Sequence, residues 1–284
     1  MENVITGILR QESGQVFIEG PDGNKQFENQ RIWDGYLKHW KDTNVHARLL
    51  PQKDYEKGQN IAILWPQEKE NKEPYVELYY NERLVKYWAS TLGHNALNIN
   101  GGIYNFSHLL NENEVMTEEE FFYRPALGEF APSPTTGLFA ADENGKAYFD
   151  KFGRNFMRTI HVLRLEGLDV EKLKQIFDEK LESIHTTPVD PEKPEKYKDF
   201  NVVTNSCATI IKNGFRKYGF KNIKGIFPRD LYVSSAYNFL KETSVKVTLY
   251  KKPQLVVDEA PVSAMSIMLN PLNMIREKKL KYIN

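Results

Sequence analysis

The residue best placed to do chemistry is Cys207, the only cysteine in 284 residues. Polar residues precede it at 204–206, and apolar residues recur at helical spacing over 208–218. We therefore expect Cys207 in the first turn of a helix, with Asn205 or Ser206 as the N-cap. Free backbone N–H groups and the positive end of the helix dipole would favour a thiolate there, the nucleophilic form. A lone cysteine is more often an inert core residue, so this interpretation requires a nearby imidazole.

A candidate for that imidazole is His94, in the stretch 93–107. The Asn-Gly pair at 100–101 lies between two β-like runs and predicts a two-residue hairpin turn. With that turn, His94, Asn105 and Ser107 share one face of the hairpin, so an amide or hydroxyl could orient the ring. The other face is apolar and is expected to be core: Leu97, Ile99, Tyr104 and Phe106.

The order of patterns along the chain predicts an α+β fold in three parts. Residues 1–67 contain five short strand-like runs and one helical insert, which suggests a small OB-like β-barrel. Residues 74–250 contain the hairpin, further strands, an amphipathic helix capped by Asp169, and a helix starting near Pro228. The tail at 251–284 is apolar and then basic. It would be either a terminal helix packed on its own domain or a surface touching a membrane or partner.

Other polar segments are expected to play supporting parts. Residues 67–73 look like a linker, and the run Glu118–Glu120 looks like solvated surface. The loop at 130–139 carries two phenylalanines, which favours a lid or rim over a cleft. His46 and His161 lie within strand-like runs and are interpreted as structural.

Composition narrows the classes of function. Lys plus Arg and Asp plus Glu both number 38, so no basic excess favours a nucleic-acid partner. One cysteine excludes an internal disulfide and a multi-cysteine zinc site, and we expect no metal or cofactor. We see no signal-peptide pattern and no apolar run long enough to span a bilayer. We therefore expect synthesis in the cytoplasm.

The order of these motifs resembles the permuted NlpC-like, papain-like superfamily of cysteine amidases and peptidases. The stretch 93–106 is similar to the family's Gly-His strand pair, and 204–211 to its Asn-Cys helix start. Residues 227–231 are similar to a Thr-Pro-x-x-Leu segment that often follows the helix. The resemblance covers about 75–240. It implies an antiparallel sheet packed on the cysteine helix, with the histidine strands preceding that helix.

The resemblance also implies roles for individual residues. Cys207 matches the nucleophile and His94 the general base that accepts its proton. Asn105 matches the third residue best, because its carbonyl oxygen can accept from the imidazole N–H without adding a charge. Ser107 and His108 remain alternatives for that position.

The oxyanion hole would use the backbone N–H of Cys207 and a second donor early in the helix. Asn205 is the side-chain candidate for such a donor, with Ser206 beside it. This set of groups suits acyl transfer, in which sulfur attacks a carbonyl and a thioester intermediate is hydrolysed or passed on.

Three hypotheses of function follow. The first is a cysteine amidase or peptidase acting on bacterial cell-wall peptides. It could be an antibacterial effector exported without a signal peptide and neutralised by an immunity protein. The second is a lipid or thioester acyl hydrolase or acyltransferase of the lecithin:retinol acyltransferase type. The third is a non-catalytic binding or adaptor protein in which Cys207 is simply buried.

Overall fold

A computed structural model describes residues 4–53, 58–67, 73–85, 91–125, 158–256 and 262–283. The fold is mixed α+β. Contacts divide the chain into a first unit (Met1–Glu70, Glu119–Met157 and Leu255–Ala260) and a second unit (Asn71–Glu118, Arg158–Gln254 and Pro261–Asn284). The expected lid at 130–139 lies outside the described residues, as does most of the expected linker at 67–73.

The described part of the first unit is built on one six-stranded sheet. Its strands are β1 (Ile5–Glu12), β2 (Gln15–Glu19), β3 (Lys25–Gln26), β4 (Arg31–Ile32), β5 (Asn44–Lys53) and β6 (Asn60–Pro66), in the order β3-β2-β1-β5-β6-β4. All pairs are antiparallel except β4–β6, which is parallel. The expected helical insert is α1 (Asp34–Trp40). The sequence predicts five strands, and the described part of this unit has six; residues 27–30, with Phe27 at a φ of +62°, separate β3 from β4.

The second unit holds the hairpin. Its described strands are β7 (Tyr75–Asn81), β8 (Arg83–Leu84), β9 (His94–Ile99), β10 (Gly102–Asn105), β11 (Glu114–Met116), β12 (Ile160–Glu166), β13 (Lys246–Lys252) and β14 (Ser263–Ala264). Six of them form an antiparallel sheet in the order β11-β10-β9-β7-β12-β13. Strands β8 and β14 form a separate pair.

The predicted hairpin register is confirmed. Asn105 pairs with Ala96 across β9 and β10, and Gly102 pairs with Ile99. The two turn residues, at 100 and 101, have φ of +52° and +96°, as a two-residue turn with this twist requires. His94 and Asn105 therefore share one face of the sheet.

The described helices are α1, α2 (Glu118–Tyr123), α3 (Val170–His185), α4 (Cys207–Tyr218), α5 (Pro228–Phe239) and α6 (Pro271–Glu277). The predicted cap of α3 is confirmed, because the Asp169 carboxylate accepts the Lys172 N–H at 3.0 Å. Among the described residues, no helix combines the length and apolar composition that crossing a membrane requires.

Helices α3, α4 and α5 contribute to one core with the apolar face of the large sheet. The four predicted core residues of the hairpin are confirmed members of it: Leu97, Ile99, Tyr104 and Phe106. The long apolar strips of α3 and α4 are buried there, which stabilises both helices far more than their intrinsic propensity does. This core places the first residue of α4 against the sheet that carries His94.

The opposite face of the sheet carries a buried polar network. Glu77 is only 3% exposed and accepts from the hydroxyls of Tyr79 (2.6 Å) and Tyr250 (2.7 Å). Its other partner is Arg164 at 3.0 Å. Asn98 donates to the Tyr79 hydroxyl at 2.9 Å. A buried carboxylate is tolerated here because its lone pairs are filled.

The expectation that the run Glu118–Glu120 is solvated surface is wrong. In the first unit, Arg48 is buried and binds Glu119 (3.1 Å) and Glu120 (2.7 Å). In the second unit, Glu118 accepts from Asn98 at 2.6 Å. A buried guanidinium needs a counter-charge, and the sequence does not show it because Arg48 lies about seventy residues away.

The C-terminal tail packs partly on its own unit. Glu277 of α6 forms a two-point ion pair with Arg229 of α5, at 2.6 and 3.0 Å. The Asp230 carboxylate accepts from the backbone N–H and side chain of Asn270 at 2.8 and 2.9 Å, and from Asn273 at 3.2 Å. This is the packed terminal helix that the sequence left as one of two alternatives.

Gly214 tests how tightly α4 packs on α3. A Cβ at this helical position would overlap the ring of Phe177 on α3. We expect Gly214→Ala to lower the free energy of unfolding by about 1–3 kcal/mol, measured by urea denaturation. Without that contact, the substitution would stabilise the helix by about 1 kcal/mol. The exposed neighbour offers the control: Asn213→Ala should change stability by less than about 0.5 kcal/mol. A stabilising Gly214→Ala would contradict this packing.

Candidate functional site

His94 is the first residue of β9, and the backbone conformation of Gly93 determines how the chain enters this strand. Gly93 has φ of +73°, a conformation that side chains other than glycine's rarely adopt. A Cβ at this position would also lie 2.5 Å from the carbonyl oxygen of Asn81. The Gly-His pair is therefore a backbone requirement, because only glycine lets the chain enter β9 this close to β7.

The orientation of the His94 ring is fixed by Asn105. The imidazole Nε2 lies 2.7 Å from Asn105 Oδ1. The Asn105 amide is itself fixed, because its Nδ2 donates to the carbonyl oxygen of Glu112 at 2.8 Å. Asn105 therefore presents an acceptor to the ring, so Nε2 carries the proton and donates it. In the neutral ring, Nδ1 is then the nitrogen with a basic lone pair.

The sequence suggested Asn105 but not Glu112. Glu112 acts through its backbone, at the end of a short 3₁₀ turn (Leu110–Glu112) that brings the chain back past β10. Every residue has a backbone carbonyl group, so no pattern of residue types in the sequence could have identified this one.

Cys207 begins α4 as expected, and Ser206 is the N-cap. The Ser206 N–H donates to the Thr209 hydroxyl at 2.7 Å, which closes the first turn. Cys207 is half-buried and packs at the edge of the core. Its sulfur faces the backbone N–H of Asn95, the neighbour of His94 in β9. The structure therefore brings the thiol to the start of the strand that carries the candidate base.

The expectation of a resting thiolate at Cys207 is wrong. Burial raises the pKa of the thiol above its ordinary value. The N–H groups of Asn95, Ala208 and Cys207 itself lower this pKa, but only in part. The sulfur is therefore protonated at neutral pH, and a nucleophilic thiolate has to be generated by a base.

The two alternatives for the orienting residue have other partners. The Ser107 hydroxyl donates to the Glu112 carboxylate, and its N–H donates to Asn113 at 3.1 Å. His108 is exposed, and its ring lies 6.0 Å from that of Phe200. Neither holds the His94 ring, and Asn105 does.

Asn205 is occupied in the loop that precedes α4. Its Nδ2 donates to the Tyr197 hydroxyl and to the Asp199 carbonyl, both at 2.9 Å. Both amide hydrogens are thus engaged, so the side chain is not available to an oxyanion. The groups that favour the charged form of the sulfur are instead the backbone N–H groups of Cys207, Ala208 and Asn95, which lower the pKa of the thiol. No pattern in the sequence indicates Asn95 as one of these groups.

The two histidines interpreted as structural have local partners. His46 Nδ1 lies 2.7 Å from the Thr6 hydroxyl. His161 is 1% exposed, and its Nε2 lies 2.9 Å from the Glu82 carboxylate. Each is held by hydrogen bonds within its own unit.

The rate of alkylation of Cys207 tests the raised pKa. Well below the pKa, the fraction of a thiol present as thiolate falls tenfold for each pH unit. We therefore expect the rate with iodoacetamide to rise about tenfold per pH unit from pH 7 to 9, without a plateau. Labelling would be followed by intact-mass spectrometry, with Cys207→Ala as the unlabelled control. A rate that is already flat at pH 7 would show a resting thiolate and contradict the effect of burial.

Comparison with known proteins gives no relative from which a function of the site could be inferred. No protein-family model, no curated protein and no solved structure matches the chain. What can be argued about function therefore comes from the Cys207 thiol, the oriented His94–Asn105 pair and the backbone donors around the sulfur.

Proposed function

We propose that this protein is a cysteine amidase or peptidase that works by acyl transfer at Cys207. The observation that carries the proposal is the orientation of His94. Its Nε2 donates to Asn105 at 2.7 Å, so in the neutral ring the basic lone pair is on Nδ1. The thiol lies at the start of the same strand, against the N–H of Asn95. Nucleophilic catalysis requires an oriented base that can take the proton of the thiol, and we propose that His94 is that base.

The proposed reaction runs in two halves. The thiol proton moves to His94 Nδ1 while sulfur attacks the carbonyl carbon of the amide. Backbone N–H groups at the start of α4 stabilise the resulting oxyanion. The imidazolium then protonates the leaving nitrogen, the C–N bond breaks, and a thioester remains on Cys207. Water, deprotonated by His94, hydrolyses that thioester and restores the thiol.

We also propose that the second unit has the permuted papain-like arrangement. Two features support this: the strand that carries the histidine precedes the cysteine helix in the chain, and α4 packs on an antiparallel sheet. The neutral Asn105 suits such a site because it can orient the imidazolium without adding a second charge.

For the first unit we propose an OB-like barrel. Strands β3 and β4 stand at opposite ends of the sheet order, yet only residues 27–30 separate them in the chain. β3 pairs with β2, and β4 pairs in parallel with β6. Taken as one interrupted strand, they join the two edges, with α1 following as the helical insert of a five-stranded barrel.

The substrate we propose is a bacterial cell-wall peptide, which the resemblance to NlpC-like enzymes favours. An enzyme with this substrate would act as an antibacterial effector. An immunity protein could neutralise it by covering Cys207 and His94.

One observation favours a second candidate, a lipid or thioester acyl hydrolase. The C-terminal segment exposes large apolar side chains, with Ile267, Leu272 and Ile275 exposed by 76%, 54% and 60%. Exposed apolar residues of this kind could contact an acyl chain or a lipid surface. The chemistry at Cys207 would be the same, with an ester in place of the amide.

The decisive assay incubates the protein separately with peptidoglycan sacculi and with phospholipid vesicles. We expect release of peptide fragments from sacculi, detected by chromatography and mass spectrometry. Cys207→Ala should abolish release, and His94→Ala should lower the rate about 100-fold or more because the general base is lost. Asn105→Ala should reduce it partially, since the ring keeps its chemistry but loses its orientation.

His46→Ala provides the matched control, because this imidazole belongs to the first unit and should leave the rate unchanged. Circular dichroism would verify that each variant is folded. Cleavage of vesicles alone would favour the acyl hydrolase. Full activity in Cys207→Ala would remove both enzymatic proposals and leave the binding or adaptor protein.

A further inference from the structure

A cavity of about 350 Å³ lies in the second unit, outside the catalytic groups described above. Its aromatic wall is formed by His108, Tyr197 and Phe200. Three lysines also line it: Lys193, Lys196 and Lys198. This volume falls in the range of cavities that hold small ligands.

The cavity is built on the two segments that carry the proposed catalytic residues. Tyr197 N–H donates to the carbonyl of His108 at 2.9 Å, and His108 follows Asn105 by three residues. The Tyr197 hydroxyl accepts from Asn205 at 2.9 Å, and Asn205 precedes Cys207 by two residues. A ligand in the cavity would therefore contact chain adjoining both the base and the nucleophile.

The side chains that line the cavity carry more positive than negative charge. The stretch 190–199 contains four acidic and three basic residues, so its composition favours neither sign. All three lysines line the cavity, whereas of the acidic residues only Asp190 does. Asp190 accepts the N–H of Glu192 at 3.0 Å, so one of its oxygens is engaged in its own turn.

The three lysines also lack internal counter-charges. Within the described part of the chain, no carboxylate forms an ion pair with Lys193, Lys196 or Lys198. Exposed lysines that line one cavity and have no ion-pair partner favour an anion there. The flanking rings of Tyr197 and Phe200 offer apolar surface to a backbone or short side chain.

We propose that this cavity is a substrate subsite that binds the carboxylates of an acidic peptide. The lysines would hold the carboxylates, while the aromatic wall contacts the peptide chain that leads to Cys207. The identification of the ligand as a substrate rests on the proposed amidase function. The binding of an acidic peptide in the cavity does not depend on that function.

The test measures binding to the full chain carrying Cys207→Ala, so that no probe is consumed. The probes are acetyl-Ala-Glu-Ala-Ala with a free C-terminus, and its neutral counterpart acetyl-Ala-Gln-Ala-Ala-amide. We expect the acidic peptide to bind about tenfold more tightly or better in isothermal titration calorimetry, and this difference to shrink with added salt. Lys193→Gln, Lys196→Gln and Lys198→Gln together should abolish the difference.

The matched control replaces three exposed lysines of the same unit that do not line the cavity: Lys221, Lys224 and Lys278, each to Gln. This variant has the same net charge as the cavity variant and should bind like the parent. Equal binding of both peptides, or equal weakening in the control, would overturn the subsite. Inorganic phosphate that competes as strongly as the acidic peptide would overturn it too, because the cavity would then be a general anion site.

The subsite and the amidase proposal fail separately. Acidic-peptide binding that depends on the three lysines, together with intact sacculi, supports an acidic-peptide site in the cavity and rejects the amidase, and with it the role of the cavity as a substrate subsite. Hydrolysis of sacculi that is unchanged in the cavity variant supports the amidase and rejects the subsite.

Discussion

The site depends on the side-chain amide of Asn105, which joins the Glu112 carbonyl to the His94 ring. Its Nδ2 is committed to that carbonyl at 2.8 Å, so its oxygen must face Nε2 of His94. This fixes both the plane of the ring and the position of its proton. A serine at this position could donate or accept, and would leave the tautomer undetermined. The amide can present only one end to the ring while the other end is held.

The start of α4 meets the β9–β10 hairpin at the point where hydrogen bonding between the two strands ends. Pairing of β9 with β10 ends at Ala96 and Asn105. The next N–H along β9, that of Asn95, would otherwise donate to β10, and it faces the Cys207 sulfur instead. The core fixes the position of α4 on the apolar side of the sheet. Its first residue thus arrives where a backbone donor is open, one residue from His94.

Local patterns predicted local structure well, and distant partners explain what they missed. The register of the hairpin followed from two turn residues, and the start of α4 from a change in periodicity. The ion pair of Glu119 could not be predicted, because its partner Arg48 lies in a distant strand. The engagement of Asn205 depends on Tyr197, whose hydroxyl only the folded loop brings within reach. Backbone partners such as Glu112 leave no trace in the residue types at all.

The error about the thiolate shows which physical effect dominates at Cys207. A charge near a helix N-terminus is stabilised by about 0.3–1 kcal/mol, less than one pKa unit. Burial can shift the pKa of an ionisable group by as much as about 3–5 units. At a half-buried position against the core, burial prevails, and the pKa of the thiol rises. A helix terminus alone therefore cannot activate this sulfur. In the proposed mechanism a base takes the thiol proton during attack, so the fixed orientation of His94 matters more for that mechanism than the start of α4.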